Sequence, residues 1–403
     1  MAARRVGDPN FPDNLDIAPS SGFAAEHRRT RGRESVAADT QDAEKDDDDA
    51  RQDVARFGIA GRTWEAAYLL RDYCSSPPDS ASQIVFDPPC PLHDAGALRA
   101  RTTVVELGAG TGFLSLAIAP SLPSTTRLVM TDLDNVCPLL AENLARAEMR
   151  WAARRAPETP GPAESLVRPL PWGDRPSLAR LVQTEHLSPD LILASDLIYF
   201  EFLYAPLLRT LIALTEPAAP DARSPPVLFS YKIRSLVREE PFWRAFGRWF
   251  AFDPVQSGRR PVERRRPSSR PPDGEDSAGS TSRPERRDSG SAKPVETVWS
   301  RYGSSRPSAP SGDEAEGVDQ HANRDEDDDE LYVFVCRRHP STFGALPDLE
   351  AASSPDDNHT EETSVLWPSV SDEALLLGLE GAKGYELGAS RFEEILLANL
   401  QWD

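Results

Sequence analysis

TVVELGAGTGFLSLAIAPSL, residues 103–122, decides the fold of this 403-residue chain. Its first part, 103–110, is an apolar run that ends in glycines, and its second part, 111–122, has the spacing of a helix. A second apolar run, RLVMTDLD at 127–134, and a helical pattern at 135–149 follow directly. Apolar strands that alternate with helices predict a doubly wound, mostly parallel α/β sheet.

The alternation continues on both sides of this stretch. Further strands are predicted at 165–173, 190–200, 226–234, 251–255 and 330–338, and further helices at 61–74, 203–215 and 239–250. Residues 75–100 contain several prolines and are predicted to form a loop, while Thr63 and either Asp134 or Asn135 are the expected helix N-caps. The segment 295–303, VETVWSRYG, is expected to extend the sixth strand.

The composition indicates one globular domain with long polar appendages. Asp and Glu number 65 against 45 Lys and Arg, which gives a net charge of −20, and only 39% of the residues are hydrophobic. Polar, highly charged segments do not bury enough apolar surface to fold. The predicted organisation is a disordered leader 1–55, a folded domain 56–256, a disordered insertion 257–329, the last strand of the domain 330–340, and a polar tail 341–403 with a C-terminal amphipathic helix.

Several classes of function are disfavoured. A negative chain is a poor general binder of nucleic acid, because affinity for phosphates depends on clustered Lys and Arg. The four cysteines lack CxxC spacing and the six histidines are scattered, so neither a metal site nor a redox pair is predicted. The sequence has no run of about 18 apolar residues and no apolar core of a signal peptide. We therefore expect no membrane partner and a location in the cytoplasm, extending to the nucleus.

The insertion allows two interpretations. It is rich in arginine in its first part and in acidic residues in its second. It is either a disordered passenger or a basic arm for RNA or for an acidic partner.

The glycine-rich loop indicates a ligand site. Gly108, Gly110 and Gly112 follow a strand directly and open a helix, so the backbone can turn sharply and approach a bound molecule. The spacing is GxGxG, whereas the dinucleotide fingerprint is GxGxxG, so a pyrophosphate at the helix start is less favoured.

Two acids narrow the choice of ligand. Glu106 ends the first strand before the loop, where a carboxylate binds a ligand amine or orders the loop through backbone N–H groups. Asp132 ends the second strand, where an acid accepts both hydroxyls of a ribose, although a plain turn residue is the alternative. A nucleoside that carries an amino acid satisfies both acids, and S-adenosylmethionine is such a molecule.

The sequence resembles the class I, seven-strand methyltransferases, and more closely their protein-lysine methyltransferase branch. That branch includes enzymes that modify translation elongation factor 1A and the valosin-containing chaperone ATPase. The matching pieces are TWEAAYLL, VVELGAGTG, MTDLD, LPWG and LILASDLIY, within 61–255 and 330–338. The resemblance implies a Rossmann-like seven-stranded sheet, mostly parallel with one antiparallel strand, and S-adenosyl-L-methionine as the cofactor.

The resemblance also implies site residues. It places Asp196 and Tyr199 at the methyl-transfer face, and the cofactor between Trp64, Gly108, Ala109, Gly110, Asp132, Trp172 and Ser195. Trp172 is expected to stack on adenine, with packing alone as the alternative. Trp64 is expected to close over the cofactor, with the anchoring of an amphipathic helix as the alternative.

Asp196 and Tyr199 stand at the carboxyl end of the fourth predicted strand, 190–200, where open α/β sheets bind ligands. A lysine with a pKa of about 10.4 must be presented as a neutral amine, which costs about 4.6 kcal/mol at pH 7. We therefore expect Asp196 to hold the incoming ammonium and Tyr199 to orient the amine. The alternative makes Asp196 the N-cap of the helix around 201–215 and Tyr199 a core residue.

The expected function is that of a monomeric protein-lysine N-methyltransferase. Its partner would be a protein substrate such as a translation factor or a chaperone. Two other activities stay open, namely methylation of a small-molecule amine and an RNA-associated methylation steered by the arginine-rich stretch.

Overall fold

The computed structural model describes residue 158 and ten longer segments of the chain. They are 10–11, 17–20, 50–75, 84–93, 101–156, 160–217, 222–259, 299–304, 331–344 and 371–377. Most of the predicted leader, most of the predicted insertion and the predicted C-terminal amphipathic helix, whose pattern covers residues 390–402, lie outside these residues. Within the described part, no helix is both long and apolar enough to cross a membrane.

Ten strands and eight α-helices make up the described part. The strands are β1 Ile84–Asp87, β2 Thr103–Leu107, β3 Arg127–Asp132, β4 Glu164–Pro169, β5 Leu191–Ser195, β6 Val227–Lys232, β7 Phe250–Pro254, β8 Gln256–Arg259, β9 Trp299–Arg301 and β10 Leu331–Arg338. The helices are α1 Val54–Phe57, α2 Glu65–Ser75, α3 Phe113–Ile118, α4 Cys137–Arg154, α5 Arg175–Thr184, α6 Tyr204–Leu214, α7 Leu236–Phe246 and α8 Asp372–Leu377.

Seven strands form the central sheet, in the order β4-β3-β2-β5-β6-β10-β7. The first five are parallel, and β10 is antiparallel to both β6 and β7. This arrangement confirms the predicted fold class. The chain leaves β2 towards β3 and β4 on one side, whereas β5 and β6 lie on the other. A crevice therefore opens at the carboxyl ends of β2 and β5, where such sheets bind ligands.

Both faces of the sheet are buried, as is typical of parallel sheets. Successive side chains of a strand point to opposite faces. Val105 therefore lies in one apolar cluster with Leu207 of α6 and Trp243 of α7. Val104 lies in a second cluster with Leu70 of α2. The apolar run at 103–107 thus positions the glycine loop between two packed layers.

A second, three-stranded sheet corrects the prediction of a loop over 75–100. β1 pairs antiparallel with β8, which in turn pairs with β9. β9 lies within VETVWSRYG, but it pairs with β8 in this second sheet, so the segment does not extend the predicted sixth strand, which is β7. β1 was missed because it is four residues long and its partner is distant in the sequence.

Three smaller differences concern helices. The N-cap of α4 is Val136, so neither Asp134 nor Asn135 caps it, although its early proline, Pro138, is tolerated as expected. α5 was not predicted, and it is capped by Asp174, whose side chain accepts from the N–H of Ser177. α8 lies in the predicted polar tail, where buried Leu375 joins the cluster that contains α6 and α7.

Candidate active site

One cleft collects the predicted cofactor-binding and methyl-transfer residues, although Gly112 of the glycine-rich loop is not among the residues that line it. Its empty space, counted out to the open mouth, is about 930 Å³. It lies at the carboxyl ends of β2, β3 and β5. Its walls include Trp64, Glu106, Gly108, Ala109, Gly110, Asp132, Trp172, Ser195, Asp196 and Tyr199.

The loop after β2 has a backbone that only glycine adopts readily. Gly108 has φ +59° and Gly110 has φ +55°, both in the left-handed region. A Cβ on Gly108 would lie 2.7 Å from the Trp172 ring and 2.8 Å from the Leu197 side chain. A Cβ on Gly110 would lie 3.0 Å from the carbonyl oxygen of Ala60. We call this loop, residues 108–110, the glycine cradle. It is bounded by Trp172 and Leu197 at Gly108 and by Ala60 at Gly110.

Asp132 ends β3 and fixes this loop. Its Oδ2 accepts from the N–H of Gly110 at 2.8 Å, and its Oδ1 accepts from the N–H of Leu133 at 2.7 Å. Burial raises the pKa of Asp132 to about 6, although these two bonds favour the carboxylate. Asp132 therefore has the turn role that was given as the alternative. It also lines the cleft, and its contact with a ribose stays a prediction.

Glu106 is buried at the end of β2. Its Oε2 accepts from the N–H of Ser115, at 3.2 Å, in the first turn of α3. Burial raises the pKa of Glu106 to about 7, and the Asp132 carboxylate adds to this increase. The loop-ordering role is present, and the same carboxyl group faces the cleft where it could meet a ligand amine.

Trp64 precedes α2 and links two walls of the cleft. Its Nε1–H donates to the carbonyl of Ile59 at 3.1 Å, in the short helical turn Gly58–Gly61. Two guanidinium groups lie over the indole, that of Arg62 at 4.6 Å and that of Arg234 at 5.1 Å from a ring centroid. Trp64 therefore both precedes a helix and forms part of the cleft.

Trp172 follows β4 and lies against the glycine loop. Its ring is half-buried, and it meets the ring of Tyr199 edge-on with centroids 6.3 Å apart. Its contact with Gly108 explains why that position excludes a side chain. The predicted stacking on adenine stays a prediction.

Asp196 has the most constrained environment in the cleft. Its φ is +60°, in the left-handed region, and its N–H donates to the carbonyl of Ser230 at 2.8 Å. Oδ1 accepts from Arg234 at 2.7 Å and from the N–H of Lys232 at 3.3 Å, and Oδ2 accepts from Arg234 at 2.5 Å. α6 is preceded by Leu203, which makes no side-chain cap, so the alternative of Asp196 as its N-cap is wrong.

Tyr199 and Ser195 also line the cleft. Tyr199 is half-buried, and burial raises its pKa above the ordinary value, so it stays a neutral phenol. The Ser195 hydroxyl accepts from the Ser230 hydroxyl at 3.0 Å, which ties β5 to β6. The roles assigned to these residues stay predictions.

Sequence reasoning missed two parts of the site. The first is the segment before Trp64, where Ile59 and Ala60 line the cleft and the Ile59 N–H donates to the carbonyl of Asn10 at 2.9 Å. Asn10 also lines the cleft, although it lies in the predicted leader. The second is Arg234, whose signal was a basic residue at the end of the predicted strand 226–234.

The donor set fits S-adenosylmethionine. The glycine cradle accepts a ligand in van der Waals contact with the backbone, which a Cβ at Gly108 or Gly110 would prevent. Two buried carboxyl groups, Glu106 and Asp132, lie in the same cleft and can accept from an amine and from ribose hydroxyls. Among the described residues, no cluster of His, Cys, Asp and Glu could hold a metal ion.

A mostly parallel seven-stranded sheet with one antiparallel strand, and a glycine-rich cleft at its switch point, define a class I methyltransferase. Its methyl donor is S-adenosylmethionine. A family model described as lysine methyltransferase matches residues 44–248, about half of the chain. The chain belongs to the lysine methyltransferase family.

Two protein-lysine methyltransferases and one solved structure are similar to parts of the chain. The chain is 29% identical to protein-lysine N-methyltransferase EFM6 of Saccharomyces cerevisiae over 190 residues, which are 45% of this chain and 68% of that protein. It is 30% identical to protein N-lysine methyltransferase METTL21A of Mus musculus over 165 residues, which are 40% of this chain and 58% of that protein. TrmN from Thermus thermophilus, a solved structure, is 20% identical with a TM-score of 0.26, over 49% of this chain and 44% of that chain.

Proposed function

We propose that this methyltransferase transfers a methyl group from S-adenosylmethionine to the ε-amine of a lysine in a protein substrate. The observation that carries the proposal is the single cleft, which brings the glycine cradle and Asp132 together with Asp196 and Tyr199. The two relatives are named for methylation of lysine in proteins, which supports a protein substrate for this chain.

Each end of the cleft has its own task in this proposal. Asp132 would hold the ribose, Trp172 the adenine, Glu106 the amino-acid portion, and the remaining cofactor contacts would come from Trp64, Gly108, Ala109, Gly110 and Ser195. When bound, S-adenosylmethionine supplies an electrophilic methyl group on a sulfonium. Transfer to nitrogen mainly needs positioning of a neutral amine in line with that group.

Asp196 and Tyr199 would position the amine. The phenol of Tyr199 stays neutral because burial raises its pKa, so its oxygen can accept an amine N–H. Asp196 can share further lone pairs of its carboxylate with the incoming nitrogen, since an ionised carboxylate accepts about four hydrogen bonds. Together they would orient the nitrogen for transfer.

The substrate class follows from the relatives and from the resemblance. We propose a cytoplasmic protein such as a translation factor or a chaperone, which the enzyme meets as a monomer. Light scattering of the purified chain tests the monomer, since a dimer has twice the mass.

Incubation of a cell lysate with labelled S-adenosylmethionine tests the activity. We expect a discrete labelled protein that disappears with D132A. D134N is the matched control, because Asp134 is exposed two residues away and we expect it to keep the label. Mass spectrometry must find the label on lysine. Label that enters only RNA or small molecules contradicts the proposal and favours one of the two alternative activities.

A further inference from the structure

Arg234 lies two residues beyond β6 and binds Asp196 through two parallel hydrogen bonds. They join Nη1 to Oδ1 at 2.7 Å and Nη2 to Oδ2 at 2.5 Å. The Asp196 side chain is 1% exposed, whereas that of Arg234 is 32% exposed. A guanidinium that faces a carboxylate in this way is a strong and directional ion pair. The acid at the methyl-transfer end of the cleft is therefore already paired within the chain.

The fold fixes Arg234 through its backbone as well as its side chain. The N–H groups of Arg234 and Ser235 both donate to Oε2 of buried Glu239, at 3.2 Å each. The same carboxyl oxygen accepts from the hydroxyl of Tyr231. On the other side, the guanidinium lies over the Trp64 ring, which lines the cleft. The guanidinium is thus held between Asp196 and the cleft wall.

This pairing changes the charge that a lysine meets. An isolated buried carboxylate would stabilise the ammonium form of an incoming lysine, because an opposite charge nearby favours the charged form. The ammonium has no lone pair with which to attack a methyl group. A carboxylate that is neutralised by a guanidinium keeps its hydrogen-bond acceptors and loses most of this preference.

We propose that Arg234 is a positioning residue of the methyl-transfer site, which neutralises Asp196 so that the site accepts the target lysine as a neutral amine and does not retain it as an ammonium. The inference rests on the proposed function, since it assigns a charge balance to the same cleft. It gives Arg234 a task that neither the glycine cradle nor Asp132 performs.

The other charged groups around the pair do not replace this balance. Arg62 is paired with Glu65 at 2.5 Å, so the two add no net charge. Burial raises the pKa of Arg234's backbone partner, Glu239, which favours its neutral form. Other groups in the described part of the chain are the phenols Tyr199 and Tyr231, whose pKa values burial raises, the backbone N–H of Lys232, and Asp132 at the other end of the cleft.

Arg234 itself stays positively charged. Burial lowers its pKa, but the Asp196 carboxylate more than compensates, so the pKa lies above the ordinary value of an arginine. The guanidinium therefore stays charged over the whole pH range in which a lysine titrates. A pH profile consequently reports on the amine and not on Arg234.

Three variants test the proposal by opposite changes of charge. They are R234Q, D196N and the double variant R234Q/D196N, assayed on the labelled lysate protein between about pH 6 and pH 10. The measured quantity is the pH below which the rate falls. We expect R234Q to raise this pH by about one unit, D196N to lower it, and the double variant to return to within about half a unit of the wild type.

A purely structural role for Arg234 cannot produce opposite shifts. Shifts in the same direction, or no shift in any variant, overturn the proposal. Binding of S-adenosylhomocysteine and a melting curve show which variants are folded. If R234Q does not fold, D196N is compared with the double variant. The two differ only in the guanidinium, so the pH below which the rate falls must be higher in the double variant than in D196N.

A second measurement tests this proposal without any protein substrate. S-adenosylmethionine is a cation at sulfur and S-adenosylhomocysteine is not, so their affinity ratio in calorimetry reports the charge at this end of the cleft. We expect R234Q to raise the preference for the cation about tenfold, D196N to lower it, and the double variant to restore it. If no protein is labelled, this ratio still decides, and an unchanged ratio then overturns the inference.

Discussion

Two buried aspartates end neighbouring regions of the same cleft, and the chain holds them in different ways. Asp132, after β3, is bound by two main-chain N–H groups, those of Gly110 and Leu133. Asp196, after β5, is bound by the guanidinium of Arg234. Main-chain amides supply dipoles without a net charge, whereas a guanidinium supplies a full positive charge.

The difference shows how one cleft can serve two kinds of ligand group. Burial raises the pKa of Asp132 to about 6, so its charge is open to protons and to donors that a ligand brings. Asp196 has its charge compensated inside the chain. In the proposed function, ligand hydroxyls would compensate the charge of Asp132 at the cofactor end, whereas Arg234 compensates the charge of Asp196 at the amine end.

The largest expected effect is a difference in the free energy of unfolding between variants at the two aspartate sites. R234Q leaves the Asp196 carboxylate buried without its cation, and we expect the free energy of unfolding to fall by about 3–5 kcal/mol. D132N removes a charge that burial already opposes, and we expect stability within about 1 kcal/mol of the wild type. Chemical denaturation at pH 7.5 measures both.

R238Q is the control for R234Q, because Arg238 is an exposed arginine in the first turn of α7. We expect it to change stability by about 0.5 kcal/mol or less. If R234Q is no more destabilised than R238Q, the ion pair does not hold Asp196 in solution, and the comparison between the two aspartates fails.

The next effect concerns how stability depends on pH. The pKa values of Glu106 and Asp132 are raised to about 7 and about 6, so the folded chain binds protons that the unfolded chain has released. Their contribution is fully present below about pH 4 and is lost as the pH rises through 6 and 7. A pKa that lies about two pH units higher at Asp132 corresponds to about 3 kcal/mol.

We therefore expect D132N to be less destabilised than the wild type when the pH of the cofactor-free protein is raised from about 4.5 to 7.5. Urea denaturation across this range gives the difference. The exposed neighbour offers the control D134N, for which we expect the wild-type pH dependence. Parallel curves for D132N and the wild type would show that Asp132 has an ordinary pKa.

A third prediction concerns cofactor affinity at the Asp132 end. A hydrogen bond to a charged acceptor contributes about 1.5–3 kcal/mol, so we expect D132N to weaken binding of S-adenosylmethionine about 10- to 100-fold at pH 7.5. In the wild type, affinity should fall as the pH drops below about 6, because a protonated Asp132 accepts fewer hydroxyl donors. Calorimetry at several pH values measures both effects, and unchanged D132N affinity would remove Asp132 from the site.

The parts that the sequence predicted well are local. The strand at 103–107, the glycine loop and Asp132 lie within 30 residues, and their spacing alone indicates a ligand cleft. The mostly parallel sheet follows from the alternation of strands and helices, because parallel strands need long, usually helical connections. Each of these features depends on neighbours in the sequence.

The parts that were missed depend on distant pairing. Arg234 meets Asp196 across 38 residues, and β1 meets β8 across about 170, and neither pattern has a local signal. α5 was missed although Asp174 caps it, because its apolar face is short. The charge of Asp196 could therefore be recognised from the sequence, but its compensation could not.

The smallest expected effect concerns Trp64, which contacts both halves of the cleft. W64F removes the Nε1–H bond to the carbonyl of Ile59 and keeps an aromatic face for Arg234. One neutral hydrogen bond contributes about 0.5–1.5 kcal/mol, so cofactor affinity should fall about two- to tenfold, while the pH below which the rate falls stays unchanged. W299F, at a tryptophan of β9 outside the cleft, is the control. The opposite result would be a shifted pH profile with unchanged cofactor affinity. It would show that the contact of Trp64 with the guanidinium of Arg234 matters for the reaction, and that its hydrogen bond to Ile59 does not.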